Sequence, residues 1–257
     1  MLEIGLIVLG IVVGVLSGLF GIGGGIVMVP TLIFIFGMDI LNANATSLSA
    51  MLLPVGILGV IAYYKAGLIK VQESLWIALG IFIGSFGGGE LAVHISESLL
   101  AKLYAGILLY IALSYFDIFS YFKKKKEVSP VEQEAVHKPF WMYLLVGVGA
   151  GIFAGLFGKG GGLVIVPLLI GIFHYDPKAA AATSLAAMQL PVGLPSVIIY
   201  ANSGHLNILY ACLLALGILG GSFFGSKLGV KLPSTIFKKV FAVFLLIVAV
   251  YMISKHV

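Results

Sequence analysis

Apolar runs of near-spanning length follow one another along the whole chain, separated by short polar or glycine-rich intervals. None of them alternates apolar with polar residues, so the pattern predicts helices rather than the strands of a membrane barrel. Ten segments emerge: 2–20, 25–37, 43–64, 72–93, 100–119, 140–157, 162–174, 179–201, 207–227 and 236–254. A helix needs about 20 residues to cross about 30 Å of hydrocarbon. The second and seventh segments have only 13 residues each, too few to span comfortably. Each is expected to pair with its predecessor as a broken or re-entrant element, with glycines at the break.

The glycines recur in order. "GLFGIGGGIVMVP" at 18–30 returns as "GLFGKGGGLVIVP" at 155–167, an offset of 137 that continues without a gap. Residues 14–30 match 151–167 at 11 of 17 positions, and 39–67 match 176–204 at 16 of 29. "ATSL" (45–48, 182–185), "LPVG" (53–56, 190–193) and "GSF" (84–86, 221–223) are repeated. A unit of this length is a duplicated half rather than a solenoid repeat. The organisation expected is a first transmembrane repeat at 1–120, a charged linker at 121–139 containing "KKKKEVSPVEQEAVHKP", and a second repeat at 140–257.

Composition sharpens the class. With 61% hydrophobic and 10% charged residues and a mean hydropathy of +1.17, the chain cannot cover a soluble surface. It reads as an all-α polytopic membrane protein with the lipid bilayer as its surroundings. The first segment carries Glu3 and no basic leader, so it is expected to be a retained helix rather than a signal peptide.

The net charge of +5 does not point to nucleic acid, because the 15 basic residues are all Lys and most occupy connections. If each half crosses an odd number of times, Lys65, Lys70, Lys123–Lys126, Lys138, Lys178, Lys227, Lys231, Lys238 and Lys239 share one side. Lys102 and Lys255 then fall opposite, a division of 12 to 2 with intramembrane Lys159 set aside; an even count gives 8 to 6. The positive-inside rule favours the odd count, which makes the halves inverted repeats and the linker cytoplasmic.

Non-helical backbone at membrane depth is tolerated where it is buried in protein or lines a polar cavity. Gly23, Gly24 and Gly25, and their copies Gly160, Gly161 and Gly162, open the short segments. Their amides, followed by a helix N-terminus, would form a cup that favours anions. Gly10, Gly14, Gly18, Gly84 and Gly88 read instead as helix-packing surfaces.

Asn44, Thr46 and Ser47, with Thr183 and Ser184, stand at the expected start of the third and eighth segments, where hydroxyls and amides can hold an oxyanion. Helix capping is the plainer reading of the same residues. Lys159 replaces Ile22 of the first copy and is an ionisable residue inside a break, a candidate counter-charge. Gln189 replaces Leu52 and is a second polar departure from the repeat. Pro54, Pro191 and Pro195 are expected to kink or break the third and eighth segments. Asp39 and Asp176 read as loop or capping residues, and Glu90 and Lys227 as interfacial residues.

"GLFGIGGGIVMVP", "NATSL" and "LPVG", with their copies, resemble the TauE/SafE, or sulfite exporter, family of membrane anion transporters over nearly the whole chain. The resemblance implies carriage of sulfite, thiosulfate, organosulfonates or other organic acids across the cell (inner) membrane. An alternating-access secondary carrier is the reading adopted, and a passive anion channel is the alternative. No enzyme is expected: the five His are scattered, Cys212 is the single cysteine, and no phosphate-binding Gly-Lys-Ser/Thr motif occurs. No cofactor is expected, and the partner is a small anionic substrate.

Overall fold

The computed structural model describes residues 2–20, 24–96, 98–100, 102, 103, 106, 138–158 and 161–231. The fifth and tenth expected segments and most of the linker lie almost wholly outside these. The described part is helical throughout, with no strand among the described residues. Its elements are α1 (Leu2–Phe20), α2 (Gly25–Phe34), α3 (Ile40–Ala50), α4 (Ile57–Lys65), α5 (Val71–His94), α6 (Phe140–Phe157), α7 (Gly162–Gly171), α8 (Pro177–Ala187), α9 (Leu194–Asn202) and α10 (Ile208–Lys231). The repeat offset carries α1–α5 onto α6–α10.

Four of these helices, α1, α5, α6 and α10, are long and apolar enough to cross a membrane. They form two tight pairs, α1 with α10 and α5 with α6. Gly10 lies against Leu214, Gly14 against Ile218 and Gly18 against Ser222, so positions rise together and the pair is parallel. Gly80, Gly84 and Gly88 meet Leu144, Val148 and Ile152 in the same way. A Cβ at Gly84 would stand 2.1 Å from the Val148 carbonyl oxygen, and one at Gly221 would stand 2.2 Å from that of Ile11. Apolar side chains gain little by leaving lipid for protein, so close backbone approach supplies the van der Waals contact that holds such pairs. Away from these seams, Phe86, Leu216 and Phe224 are 62%, 65% and 67% exposed, as lipid-facing residues should be.

The short helices lie inside this frame. Gly24 packs on Val13, and the Phe36 ring reaches Gly5, so α2 runs back along α1. In the second half Gly161 packs on Ala150, and the Phe173 ring centre is 4.6 Å from that of Tyr143, so α7 returns along α6. Ten residues of helix reach about 15 Å, half the hydrocarbon depth.

The third and eighth segments, expected to be kinked or broken by proline, are fully interrupted. Helix α3 stops at Ala50 and α4 starts at Ile57; α8 stops at Ala187 and α9 starts at Leu194. Pro54 and Pro191 lie in these gaps, where a missing N–H and a restricted preceding residue disfavour helix. Each gap is held by the opposite half. Ser85 Oγ donates to the Val192 carbonyl at 2.9 Å, and its copy Ser222 donates to the Val55 carbonyl at 2.8 Å. The repeated "GSF" and "LPVG" are the two sides of one contact made twice.

Helices α3 and α8 are rich in small and hydroxyl residues, yet they are the enclosed elements. Eight of the 11 residues of α3 are buried, and eight of the 11 of α8. The most polar helices therefore occupy the interior and the most apolar ones face outward.

Candidate functional site

A helix that ends inside the bundle leaves its last carbonyls without amide partners. Here side chains supply the donors. Tyr63 Oη lies 3.0 Å from the Gly18 oxygen and 3.1 Å from that of Leu19, at the end of α1. Its copy Tyr200 donates to the Gly155 oxygen at 2.8 Å, at the end of α6. Both tyrosines are fully buried. At the α6 end, Asn44 Nδ2 also donates to the Leu156 oxygen at 3.0 Å. Gly158 then leaves the helix with φ of 65° and lies on Asn44, where a Cβ would come within 2.3 Å of the Asn44 Cα. The second glycine break is thus built against α3 of the first half.

The glycines take the positions expected as far as they are described. Gly24 has φ of 74°, in the left-handed region open to glycine, and precedes Gly25 at the start of α2. Gly161 precedes Gly162 at the start of α7. Gly23, Lys159 and Gly160 lie outside the described residues.

The expectation that "ATSL" opens a helix is corrected. Helix α3 begins at Ile40, with Asp39 accepting the Asn42 amide at 2.8 Å, and α8 begins at Pro177, with Asp176 accepting the Lys178 amide at 2.9 Å. Thr46, Ser47, Thr183 and Ser184 therefore sit in the second and third turns, where the backbone amides are already bonded within the helix. The caps formed upstream, at the two repeated Asp residues, and moved the hydroxyls to mid-helix. What these residues offer is side-chain chemistry alone.

The structure also divides them. Asn44 and Ser47, three apart, share the face of α3 turned to the α6 end. Thr46 lies on another face, with Asn42 four residues before it and Ser49 three after. Thr183 is engaged structurally: its Oγ1 accepts the Lys70 amide at 3.2 Å, and its carbonyl accepts Ser74 Oγ at 3.1 Å. Gln189 Nε2 donates to the Leu185 oxygen at 2.9 Å, and the side chain lies over Gly56 of the first half's gap.

Five buried side-chain oxygens among the described residues have no hydrogen-bond partner: Asn44 Oδ1, Thr46 Oγ1, Ser47 Oγ, Ser49 Oγ and Gln189 Oε1. Each such atom costs about 1–3 kcal/mol of desolvation, so a group of them is maintained against stability. Four lie on α3 and the fifth at the end of α8. Ser49, Asn42, Tyr63 and Tyr200 escaped the sequence reading. The repeat itself held the signal: Tyr63 and Tyr200 are preserved between halves, whereas Asn42 and Ser49 face Ala179 and Ala186 at the equivalent positions.

Apolar helices long enough to span, around a polar, interrupted interior, mark a multi-pass membrane protein. The chain belongs to the sulfite exporter TauE/SafE family, which it matches over residues 6–252. Among relatives it is 32% identical to a probable membrane transporter protein of Methanocaldococcus jannaschii, over 91% of this chain and 87% of the relative. It is 31% identical to one of Haemophilus influenzae over 97% of both chains, and 29% identical to one of Bacillus subtilis over 87% and 86%. No solved structure matches the chain.

Proposed function

We propose that this chain is a secondary carrier of small anions in the cell membrane, working by alternating access. Sulfite, thiosulfate and short organosulfonates or organic acids are the substrates in view. The observation that carries the reading is the pair of unpartnered buried oxygens, Asn44 Oδ1 and Ser47 Oγ, on the face of α3 where the second glycine break packs on Asn44. Hydroxyls without protein partners at a membrane interior are available to a ligand's oxygens. Asn44 fixes the break, since its amide nitrogen is held by the Leu156 carbonyl. Lys159, next in the chain after Gly158, is the proposed counter-charge that lets an anion leave water. Gly23–Gly25 and Gly160–Gly162 are proposed to present amides to it, with Ser47, Ser184 and Gln189 beside the path.

The halves are proposed to be inverted repeats with re-entrant α1–α2 and α6–α7 pairs and a cytoplasmic Lys-rich linker. The helix directions support this. Lys70, just before α5, bonds Thr183, while Lys178 at the start of α8 bonds the Val230 carbonyl near the end of α10. The start of α5 thereby shares a face with the end of α10, its copy.

The deciding experiment is uptake of labelled sulfite, thiosulfate and a short organosulfonate into proteoliposomes, with and without unlabelled substrate inside. Saturable flux accelerated by internal substrate is the expected result. Linear flux without acceleration would favour a channel, and absence of flux with all three would remove the anion reading. Lys159→Glu is expected to abolish flux with normal membrane insertion, whereas Ile22→Ala is mild; wild-type flux in Lys159→Glu would sink the counter-charge.

A further inference from the structure

A cavity of about 260 Å³ opens between the α2–α3 turn and the α9–α10 loop, lined by Met38, Asn42, Thr46, His205, Asn207 and Tyr210 among others. It lies on the face of α3 away from the Asn44 and Ser47 pair. At roughly 30 Å³ per water, it holds a small polyatomic ion with its hydration.

Its polar side chains include donors that no protein group accepts from. Asn42 Nδ2 is committed to Asp39 Oδ2 at 2.5 Å, so Asn42 Oδ1 is the acceptor for His205 Nδ1 at 3.2 Å. Asn207 Oδ1 is taken by the Tyr210 amide at 3.1 Å, leaving its NH₂ as a donor. Each Asp39 carboxylate oxygen accepts one bond from Asn42, through its amide and its side chain. Against these occupied acceptors stands Thr46 Oγ1, in a residue 1% exposed, with no partner at all. The Thr46 hydroxyl and the Asn207 NH₂ are donors that these hydrogen bonds leave open, which suits a ligand made of acceptors.

The second half shows what the same place looks like when closed. There Thr183 Oγ1 takes the Lys70 amide, and Lys70 is the copy of Asn207. Leu68 stands in place of His205, Ala179 in place of Asn42, and Ala186 in place of Ser49, one turn deeper. The polar stripe Asn42–Thr46–Ser49 belongs to the first half alone. It runs from the cavity toward the gap after α3.

The geometry points to a second oxyanion subsite in this cavity, an access vestibule on one side of the bundle in which Thr46 Oγ1 and the Asn207 amide hydrogen-bond the incoming anion. The inference rests on the anion-carrier reading and adds to it a position and a side. A lipid phosphate has the same acceptor chemistry, and the test separates the two sources.

Full-length protein in a phosphate-free maltoside detergent is titrated calorimetrically with sulfite and with thiosulfate. Thr46→Val is nearly isosteric and removes only an unpartnered hydroxyl. It is expected to weaken binding at least fivefold without lowering the unfolding temperature, Thr46→Ser to restore binding, and Thr183→Val to leave it unchanged. His205→Leu, which installs the residue already found at position 68, is a second variant and is also expected to weaken binding. Binding within twofold of wild type in both Thr46→Val and His205→Leu would overturn the subsite. So would displacement of the anion by short-chain phosphatidylglycerol with no effect of Thr46→Val on free-anion binding. In proteoliposomes Thr46→Val should raise KM for substrate presented on the His205 side and leave the other side unaltered; equal effects on both sides would refute the vestibule. Calorimetric binding lost in Thr46→Val with no flux in wild type would retain the subsite and remove the carrier, whereas flux with an unaffected Thr46→Val does the reverse.

Discussion

Replacing Ser47 by Ala should stabilise the protein and impair it at once. The Ser47 side chain is fully enclosed and its Oγ has no partner. Burying such a hydroxyl costs about 1–3 kcal/mol, and Ala is the better residue inside a helix by a few tenths of a kcal/mol. The lost contacts of one oxygen atom offset part of this, leaving a net gain of about 1–2 kcal/mol. In domains of 150–250 residues, 1 kcal/mol moves Tm by about 2–4 °C, so a rise of about 2–8 °C is expected in thermal unfolding of the detergent-solubilised protein. Anion flux in proteoliposomes should fall in the same variant, because the unpaired hydroxyl faces the second glycine break. A drop in Tm would mean that the hydroxyl is bonded in the folded state, and the argument from unpartnered atoms would fail. A higher Tm with undiminished flux would leave the hydroxyl as a packing defect with no part in transport.

The same substitution at Ser222 should have the opposite sign, since its hydroxyl holds the buried Val55 carbonyl at 2.8 Å: Ser222→Ala is expected to lower stability by about 1–2 kcal/mol, read as a lower Tm, and an unchanged Tm would remove the inter-half contact from the account. Neighbouring glycines on α10 should differ sharply. Gly221→Ala places a methyl 2.2 Å from the Ile11 carbonyl and should cost about 1–3 kcal/mol and the yield of folded protein, whereas Gly220→Ala meets nothing within 4 Å and should be neutral; equal behaviour in a chromatographic folding assay would refute the close α1–α10 seam. With Cys212 replaced by Ser, single cysteines at positions 65 and 125 should both react with an impermeant thiol reagent from the cytoplasmic side only. Labelling from opposite sides would break the inverted-repeat proposal.

Much of the architecture was legible along the chain because it depends on local quantities. Helix follows from unalternating apolar runs, and burial of those runs in lipid follows from transfer energies that each residue carries by itself. The shortness of α2 and α7 was visible as a count against the thickness of hydrocarbon. The paired glycines were visible as a repeat, and Asp39 and Asp176 as loop or capping residues. The helix starts were not, because an Asp cap four residues (Asp39) or three (Asp176) before the apolar pattern competes with the pattern itself. That competition shifted "ATSL" from helix starts to mid-helix and changed what its hydroxyls can present.

The state of each polar atom lay beyond the sequence. Thr46 and Thr183 occupy identical positions in the repeat, yet one hydroxyl accepts the Lys70 amide and the other has no partner. The atoms that decide this come from elsewhere in the chain: Asn44 and Leu156 are separated by 112 residues, and Ser222 and Val55 by 167. Duplication, membrane residence and the two breaks were determined by the sequence alone, since each is set by residues close together in it. The tertiary structure decided which hydroxyls remain unpaired and which half keeps a polar stripe, because hydrogen bonding is short-ranged in space and indifferent to distance along the chain.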